Sequence, residues 1–308
     1  MALTVAQAFT EFAAKLRPTP AQEEVIATRR SGVEGFLASA YPAGSTMPLK
    51  QLRVIGAAGR KTLIRPVDDI DVFAVFDHRQ VWGQYKHDSK LLLYRVREAL
   101  DAYRVQTVGS RGQAVRLFYS DPPAVDITPA FPFHHWLFGN QEGFVIPYGD
   151  GAWIRTDPYV HHDFMAKRNQ SLENHLKPLI RLLKRWNSAH SKRLGSFHLE
   201  MIAQDVFGKM SGNTRLNVVF FFKEAGRHLN VKDPTGYSGN LASPLTDKQR
   251  EDIKRSFAYA HDHAVRAQAA DGRGDVAEAL RQWRIVFGDE FPAYGAKPVL
   301  SLRPSRSA

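Results

Sequence analysis

The sequence predicts an α/β (α+β) fold in which a mixed-sheet lobe is followed by a helical C-terminal lobe. Two observations carry this. Between residues 53 and 127 the apolar residues cluster in short runs of strand length. From about Asp163 onward they recur every three or four residues, the helical period. A third observation bounds the answer: 308 residues, 44% of them hydrophobic, are enough to bury a substantial core. The expected division is 1–165 for the sheet lobe with its N-terminal helices and 166–308 for the helical lobe.

Val5, Phe9, Phe12 and Leu16 recur at helical spacing and give a first helix. Pro18-Thr19-Pro20 interrupts it. Thr19, Pro20 and Gln22 then read as N-cap, N1 proline and capping-box partner of a second helix. Val25, Val33, Phe36 and Leu37 form its apolar stripe. Arg53-Val54-Ile55 is a short strand, closed by the turn Gly56-Ala57-Ala58-Gly59. Residues 71–76 form a strong strand, 91–103 a helix, and 114–119 and 124–127 two further strands. Gly109-Ser110-Arg111-Gly112 precedes a strand, so a hairpin turn fits it better than a phosphate loop. The aromatic-rich stretch 129–158 reads as irregular. Helical pattern fills 163 to roughly 208, with Pro178 expected to disturb it. Two more helices follow at 247–269 and 275–287, and Pro298, Pro304 and Ser307 mark a frayed tail.

Composition excludes several functions. Cysteine is absent, which removes disulfides, thiolate zinc sites and cysteine nucleophiles together. No segment approaches the roughly 18 apolar residues of a membrane span. The opening Met1-Ala2-Leu3-Thr4 lacks the pattern of a signal peptide, so a cytoplasmic protein with no membrane partner is expected. The formal net charge of +11 favours polyanionic partners such as nucleotides or nucleic acid, or equally a basic surface that confers solubility. The histidines at 134, 135, 161, 162, 261 and 263 lack a metal-ligand spacing and are read as packing or solvated groups, a substrate-groove position for His161 and His162 being the alternative not adopted. No GxxxxGK[ST] run is present.

The chemistry-bearing pattern is Asp69-Ile70-Asp71 at the start of an apolar strand. Strand side chains alternate, so both carboxylates share one face and Ile70 points to the other. Two carboxylates this close repel unless a cation lies between them. Hard oxygen donors suit Mg²⁺ with a phosphate substrate. Asp126 follows a second apolar strand, and if the strands are neighbours it completes a three-carboxylate site. A solvated strand edge is the alternative. Gly56, thirteen residues before Asp69, ends a strand in a turn whose backbone N–H groups can approach a phosphate. Lys177, Arg181 and Lys184 share one helix face, either a solvated basic face or an anion contact.

The run from Gly56 through Thr62, Ile64-Arg65-Pro66 and Asp69-Ile70-Asp71 resembles the signature of the cGAS/DncV-like nucleotidyltransferases (CD-NTases), in the polymerase-β-like nucleotidyltransferase superfamily. Val125-Asp126-Ile127-Thr128-Pro129 resembles their third-aspartate segment. Trp153 with its neighbours, Leu182-Leu183-Lys184-Arg185-Trp186-Asn187, Ser196-Phe197-His198-Leu199-Glu200 and Val231-Lys232-Asp233-Pro234 extend the resemblance over roughly residues 5 to 290. Ala57 departs from the family's Gly-Ser turn. The missing hydroxyl removes a hydrogen bond to a charged group, worth about 1.5–3 kcal/mol, and Thr62 is the candidate replacement donor.

The resemblance implies a metal-dependent nucleotidyltransferase with its site in the cleft between the lobes. Asp69, Asp71 and Asp126 would be the catalytic and metal-binding residues, holding two Mg²⁺ or Mn²⁺ ions. Gly56, Ala57, Thr62, Lys184 and Ser196 would contact nucleotide, and a base would stack on Phe197. The substrates would be ATP and other NTPs, and the product a cyclic di- or trinucleotide second messenger that acts on a downstream effector in bacterial anti-phage (CBASS) signalling. A nucleic acid or a protein would activate the enzyme. The rival readings are a linear oligonucleotide synthetase, a transferase tagging RNA or protein, and a catalytically silent nucleotide-binding sensor.

Overall fold

Three helices begin with the same four-residue device. Thr4, Thr19 and Thr246 each accept a hydrogen bond from the backbone N–H of a glutamine three residues on, while that glutamine's side chain bonds back to the cap. Two orphan N–H groups are satisfied per helix. Thr19→Ala is expected to cost about 1 kcal/mol of stability, read as a lower urea midpoint at unchanged slope.

The computed structural model describes residues 3–134 and 142–296; His135 and the 297–308 tail lie outside them. In chain order the elements are α1 (Val5–Leu16), α2 (Pro20–Ala40), β1 (Leu49–Val54), the single turn α3 (Gly56–Gly59), β2 (Asp69–Phe76), the single turn α4 (Trp82–Tyr85), α5 (Lys90–Leu100), β3 (Thr107–Arg111) and β4 (Ala114–Phe118). There follow β5 (Ala124–His134), β6 (Glu142–Pro147), β7 (Trp153–Thr156), α6 (Pro158–Ser171), α7 (Leu176–Ala189), α8 (Ser196–Val206), α9 (Thr214–Glu224), α10 (Asp247–Gly272) and α11 (Val276–Phe287). The fold is α+β with a mixed sheet, as expected. Two compact units divide the chain: Pro18–Ser171 with Lys232–Leu241, and Met1–Arg17 with Leu172–Val231 and Ala242–Ala308.

The sheet unit orders its strands β1-β2-β5-β4-β3, with β6 and β7 continuing from the far half of β5. The β2–β5 pair is parallel and the others are antiparallel. On one face Ile70, Val72, Ala74 and Phe76 pack with Val125, Ile127 and residues of α2 and α5, including Val33, Leu37, Leu92, Val96 and Leu100. On the other, Phe73 and Val75 pack with Ala130, Phe144 and Ile146. The alternation around Ile70 is therefore as the sequence predicts.

Residues 135–141 lie outside the described residues, but the rest of 129–158 is not irregular: 129–134 complete β5, and 142–158 form β6, β7 and the start of α6. Pro129 and Pro132 obscure this, because proline cannot donate to a ladder. They fall where β5 changes partner: β4 accompanies it only at 125–127, and β6 takes over from Phe131. Phe131, fully buried, packs against Trp82, Tyr85 and Trp153, whose indole N–H donates to the Tyr85 carbonyl at 3.1 Å. The predicted hairpin at 109–112 is real, but its turn is one residue pair later, between β3 and β4, with Gly112 at φ 58.

In the helical unit, α1 is bound by aromatic contacts from the far end of the chain. Phe9 meets Trp283 at 4.8 Å and Phe291 at 5.1 Å, and Phe12 meets Phe291 at 5.0 Å. This placement differs from the 1–165 boundary: α1 belongs with the helices because its apolar stripe finds its partners there. A second cluster stacks Trp186 on Phe257 at 5.2 Å beside Phe222. Phe222 lies on α9, a helix the sequence reading left unassigned because its run of valine and phenylalanine carries no helical period. Pro178 does not kink a helix. The helical pattern breaks at Glu173 and Asn174, both at positive φ, and Pro178 sits in the first turn of α7, where no N–H is required.

Candidate active site

Asp71 and Asp126 are direct register partners on the parallel strands β2 and β5, and Asp69 lies two residues before Asp71 on the same face. The sheet thus brings together all three aspartates that the sequence singled out. Asp126 is 7% exposed. Its approach is anchored from α2, where the Arg29 guanidinium bonds the carbonyls of Asp121 and Pro123 and lies over the Tyr119 ring, 4.1 Å from its centroid. Burial, then the charges of Asp69 and Asp126, push the Asp71 carboxyl above its usual value, against the pull of Arg60 and Arg116.

The Gly56 turn is built onto this cluster. The Ile55 N–H donates to the Asp71 carbonyl at 2.9 Å, extending the β1–β2 ladder to the edge of the turn. Gly56 then takes φ 60, and a Cβ placed on it would lie 2.1 Å from Asp71 Oδ2. Only glycine satisfies both conditions. Gly59 is equally tight, since a Cβ there would meet the Val54 carbonyl oxygen at 2.7 Å.

Thr62 is fully buried, and its hydroxyl donates to the Ala57 carbonyl at 3.4 Å. It supports the turn from within rather than standing open in the place of the missing serine. A cavity of about 300 Å³ adjoins the turn, lined by Arg30, Arg53, Gly56, Arg60, Tyr159 and His162. His162 thus borders a cavity. His161 instead donates from Nε2 to Asp233 Oδ1 at 2.7 Å. Burial opposes ionisation of Asp233, but hydrogen bonds from His161 and Thr235 win and hold its carboxyl well below the usual range. This fastens residues 232–241 to the sheet unit.

The functional residue that sequence reasoning missed is Arg116. It pairs in register with Asp126 from the other side, so Arg116, Asp126 and Asp71 form one row across β4, β5 and β2. Its Nε donates to Asp126 Oδ1 at 2.5 Å, and Nη2 to Asp126 Oδ2 at 2.5 Å and Asp69 Oδ2 at 2.6 Å. These bonds, that to Asp126 foremost, raise its pKa further above the arginine range. The available signal was a lone charge in the apolar strand Ala114-Val115-Arg116-Leu117; the register that gives it meaning is not written in the sequence. Among the described residues no group of three or more His, Asp or Glu side chains is drawn together as a finished ion cage. The three carboxylates nonetheless offer hard oxygen donors on one sheet face, a donor set that fits a divalent metal.

In the helical unit, Lys184 and Glu200 form a buried pair at 2.5 Å, 5% and 0% exposed at their side chains. The expected solvated or phosphate-facing lysine is therefore neutralised from within the unit. Ser196 opens α8 and is exposed, while Phe197 is half-buried. His263 is buried and hydrogen-bonded to Gln282, a packing role.

A sheet that aligns three carboxylates beside a glycine turn is the arrangement expected of a nucleotidyltransferase, and the chain's matches to known proteins place it in that class. Residues 3–169 match the Second Messenger Oligonucleotide or Dinucleotide Synthetase (SMODS) domain. The chain belongs to this family, the group of CD-NTases its motifs resemble. It is 28% identical to a probable cyclic nucleotide synthase of Bacillus cereus (strain VD146), over 80% of this chain and 83% of that protein. It is 25% identical to a cyclic AMP-AMP-AMP synthase of Acinetobacter sp. (strain ATCC 27244 / 9458), over 77% and 71% of the two chains. The fold matches Escherichia coli MS115-1 CdnC, seen in a complex with HORMA-deltaN (TM-score 0.75, 19% identity, 93% and 98% of the two chains) and with ATP (TM-score 0.74, 20% identity, 93% and 98%). No helix among the described residues is long and apolar enough to cross a membrane.

Proposed function

We propose that this chain is a metal-dependent synthase that joins ATP and other NTPs into a cyclic di- or trinucleotide messenger for a downstream effector, as part of cytoplasmic CBASS anti-phage signalling. The observation that carries the reading is the register of Asp71 with Asp126 on adjacent parallel strands, with Gly56 closed against Asp71. Divalent metal, when bound, supplies charge neutralisation for the attacking and leaving oxygens of an in-line displacement. Asp69 and Asp71 would hold the ion that bears the donor triphosphate, and Asp126, with a second ion, would help deprotonate the acceptor hydroxyl. The backbone N–H groups of Gly56 and Ala57 receive phosphate oxygens. Ser196 and Lys184 contact the triphosphate and Phe197 stacks on a base, with Lys184 bonded to Glu200 until nucleotide arrives. Positioning and electrostatics supply most of the rate. The activator is a protein, a reading supported by the HORMA complex of CdnC.

The test is product analysis. The purified protein is incubated with all four NTPs and Mg²⁺ or Mn²⁺, treated with phosphatase and resolved by mass spectrometry beside an Asp69→Ala/Asp71→Ala variant. A phosphatase-resistant cyclic species is expected from the wild type and not from the variant. A ladder of linear products identifies an oligonucleotide synthetase instead. Bound NTP without turnover, in the presence of the cognate activator, identifies a silent sensor whose Ala57 turn has lost the chemistry.

A further inference from the structure

We propose that Arg116 is an internal counter-ion that holds the carboxylates before metal binds and is displaced from them by the metal. The inference rests on the reading above that Asp69, Asp71 and Asp126 are the metal ligands.

The guanidinium fork engages both oxygens of Asp126 and one of Asp69. Those three oxygens are among the donors a divalent ion would use. A guanidinium on them competes with a dication, because two like charges then face each other across the same carboxylates. Arg116 cannot leave by losing its proton, since a guanidinium keeps its charge in proteins. Its side chain is only 14% exposed, so water does little to screen it. It leaves by rotating. β4 is fixed by register, which makes the side chain the only moving part. The same strand offers a resting place: the Phe118 ring, two residues on, lies with its centroid 5.9 Å from Arg116 Cζ and is 40% exposed.

Two consequences follow. Metal alone binds weakly, because it must first break three charge-assisted hydrogen bonds. A nucleotide triphosphate offers the released guanidinium a new anion, so metal and nucleotide load together. Arg116 is thus a positioning residue that makes the site receptive to a metal–nucleotide pair rather than to metal alone.

The test is Mn²⁺ binding to the full-length protein without nucleotide, followed by the electron paramagnetic resonance signal of free Mn²⁺. Wild type is compared with Arg116→Gln, Arg116→Lys and Asp69→Ala, and melting temperatures are taken in EDTA and in Mn²⁺. Arg116→Gln is expected to bind Mn²⁺ about tenfold more tightly than wild type, or better. It should melt lower than wild type in EDTA, because Asp69 and Asp126 lose their counter-ion, and should recover in Mn²⁺. Arg116→Lys keeps the charge but cannot bridge two carboxylates, so it falls between. Asp69→Ala shows no such tightening. Equal or weaker binding in Arg116→Gln overturns the proposal, since a merely structural arginine would lower stability without strengthening metal binding. If Arg116→Gln does not fold even with Mn²⁺, Arg116→Lys decides by the same criterion. If wild type neither retains Mn²⁺ with NTP present nor forms product, the metal-site reading itself fails and takes this inference with it.

Discussion

Gly56→Ala is expected to reduce product formation by about two orders of magnitude or more while leaving the fold largely intact. The reason is local. The new methyl would stand 2.1 Å from Asp71 Oδ2 and 3.0 Å from its Cγ, so the carboxylate must move. A displacement of about 1 Å in a reacting group can cost 10²-fold in rate. The backbone adds a penalty of about 1–2 kcal/mol, because φ 60 is unfavourable for a residue with a Cβ. That is a small fraction of a domain's stability, so the melting temperature should fall by only a few degrees. Gly35→Ala on α2 is the control. Nothing lies within 4 Å of its Cβ, and the change should be neutral or stabilising by up to about 1 kcal/mol. Turnover and melting temperature of the two variants are measured side by side. Wild-type turnover in Gly56→Ala would show that the turn and Asp71 are not coupled.

Glu200→Ala is expected to destabilise the helical unit by about 3–5 kcal/mol, because it strands the Lys184 charge in the interior. Lys184 is 5% exposed and Glu200 is fully buried, so no water compensates. Replacing both partners, as Lys184→Met/Glu200→Leu, removes the charges together and should return stability to near the wild-type value. Urea denaturation of the three proteins tests this. A loss below about 1 kcal/mol in Glu200→Ala would mean the pair is better hydrated than its burial implies. The double variant also decides what Lys184 does. If it contacts the triphosphate, the folded double variant has a raised KM for NTP; if it only balances Glu200, KM is unchanged.

How much of this was legible depended on whether the signal was local. Thr19, Pro20 and Gln22 lie within one helical turn, and the capping box they predict is the one that forms. Asp69 and Asp71 share a strand, so alternation alone set them on one face. Asp126 needed a neighbour that the strand itself could not name, and the resemblance supplied it. Arg116 was out of reach for the same reason: its partners are set by two ladders, β4–β5 and β5–β2, and register between strands leaves no mark in either strand. Glu200 sits one helix away from Lys184, so a basic helix face read from Lys177, Arg181 and Lys184 missed its partner. The described strands within 129–158 were read as irregular because their pairing, like that of Arg116, depends on register: β5 exchanges β4 for β6 part-way along its length.

The aromatic contacts of α1 carry a consequence for how the protein is made. Phe9 and Phe12 leave the ribosome about 270 residues before Trp283, Phe287 and Phe291, their partners in the finished helical unit. At about 5–20 residues per second, that is a wait of about 15–55 s. Until α7, its other neighbour in the unit, is made, the apolar stripe of α1 has no native surface to cover it, and its aromatic partners arrive only with the end of the helical unit. In that interval Phe9 and Phe12 are transiently exposed apolar surface of the kind that chaperones exist to cover. The sheet unit has a delay of its own, since Asp233 must be synthesised before it can receive His161.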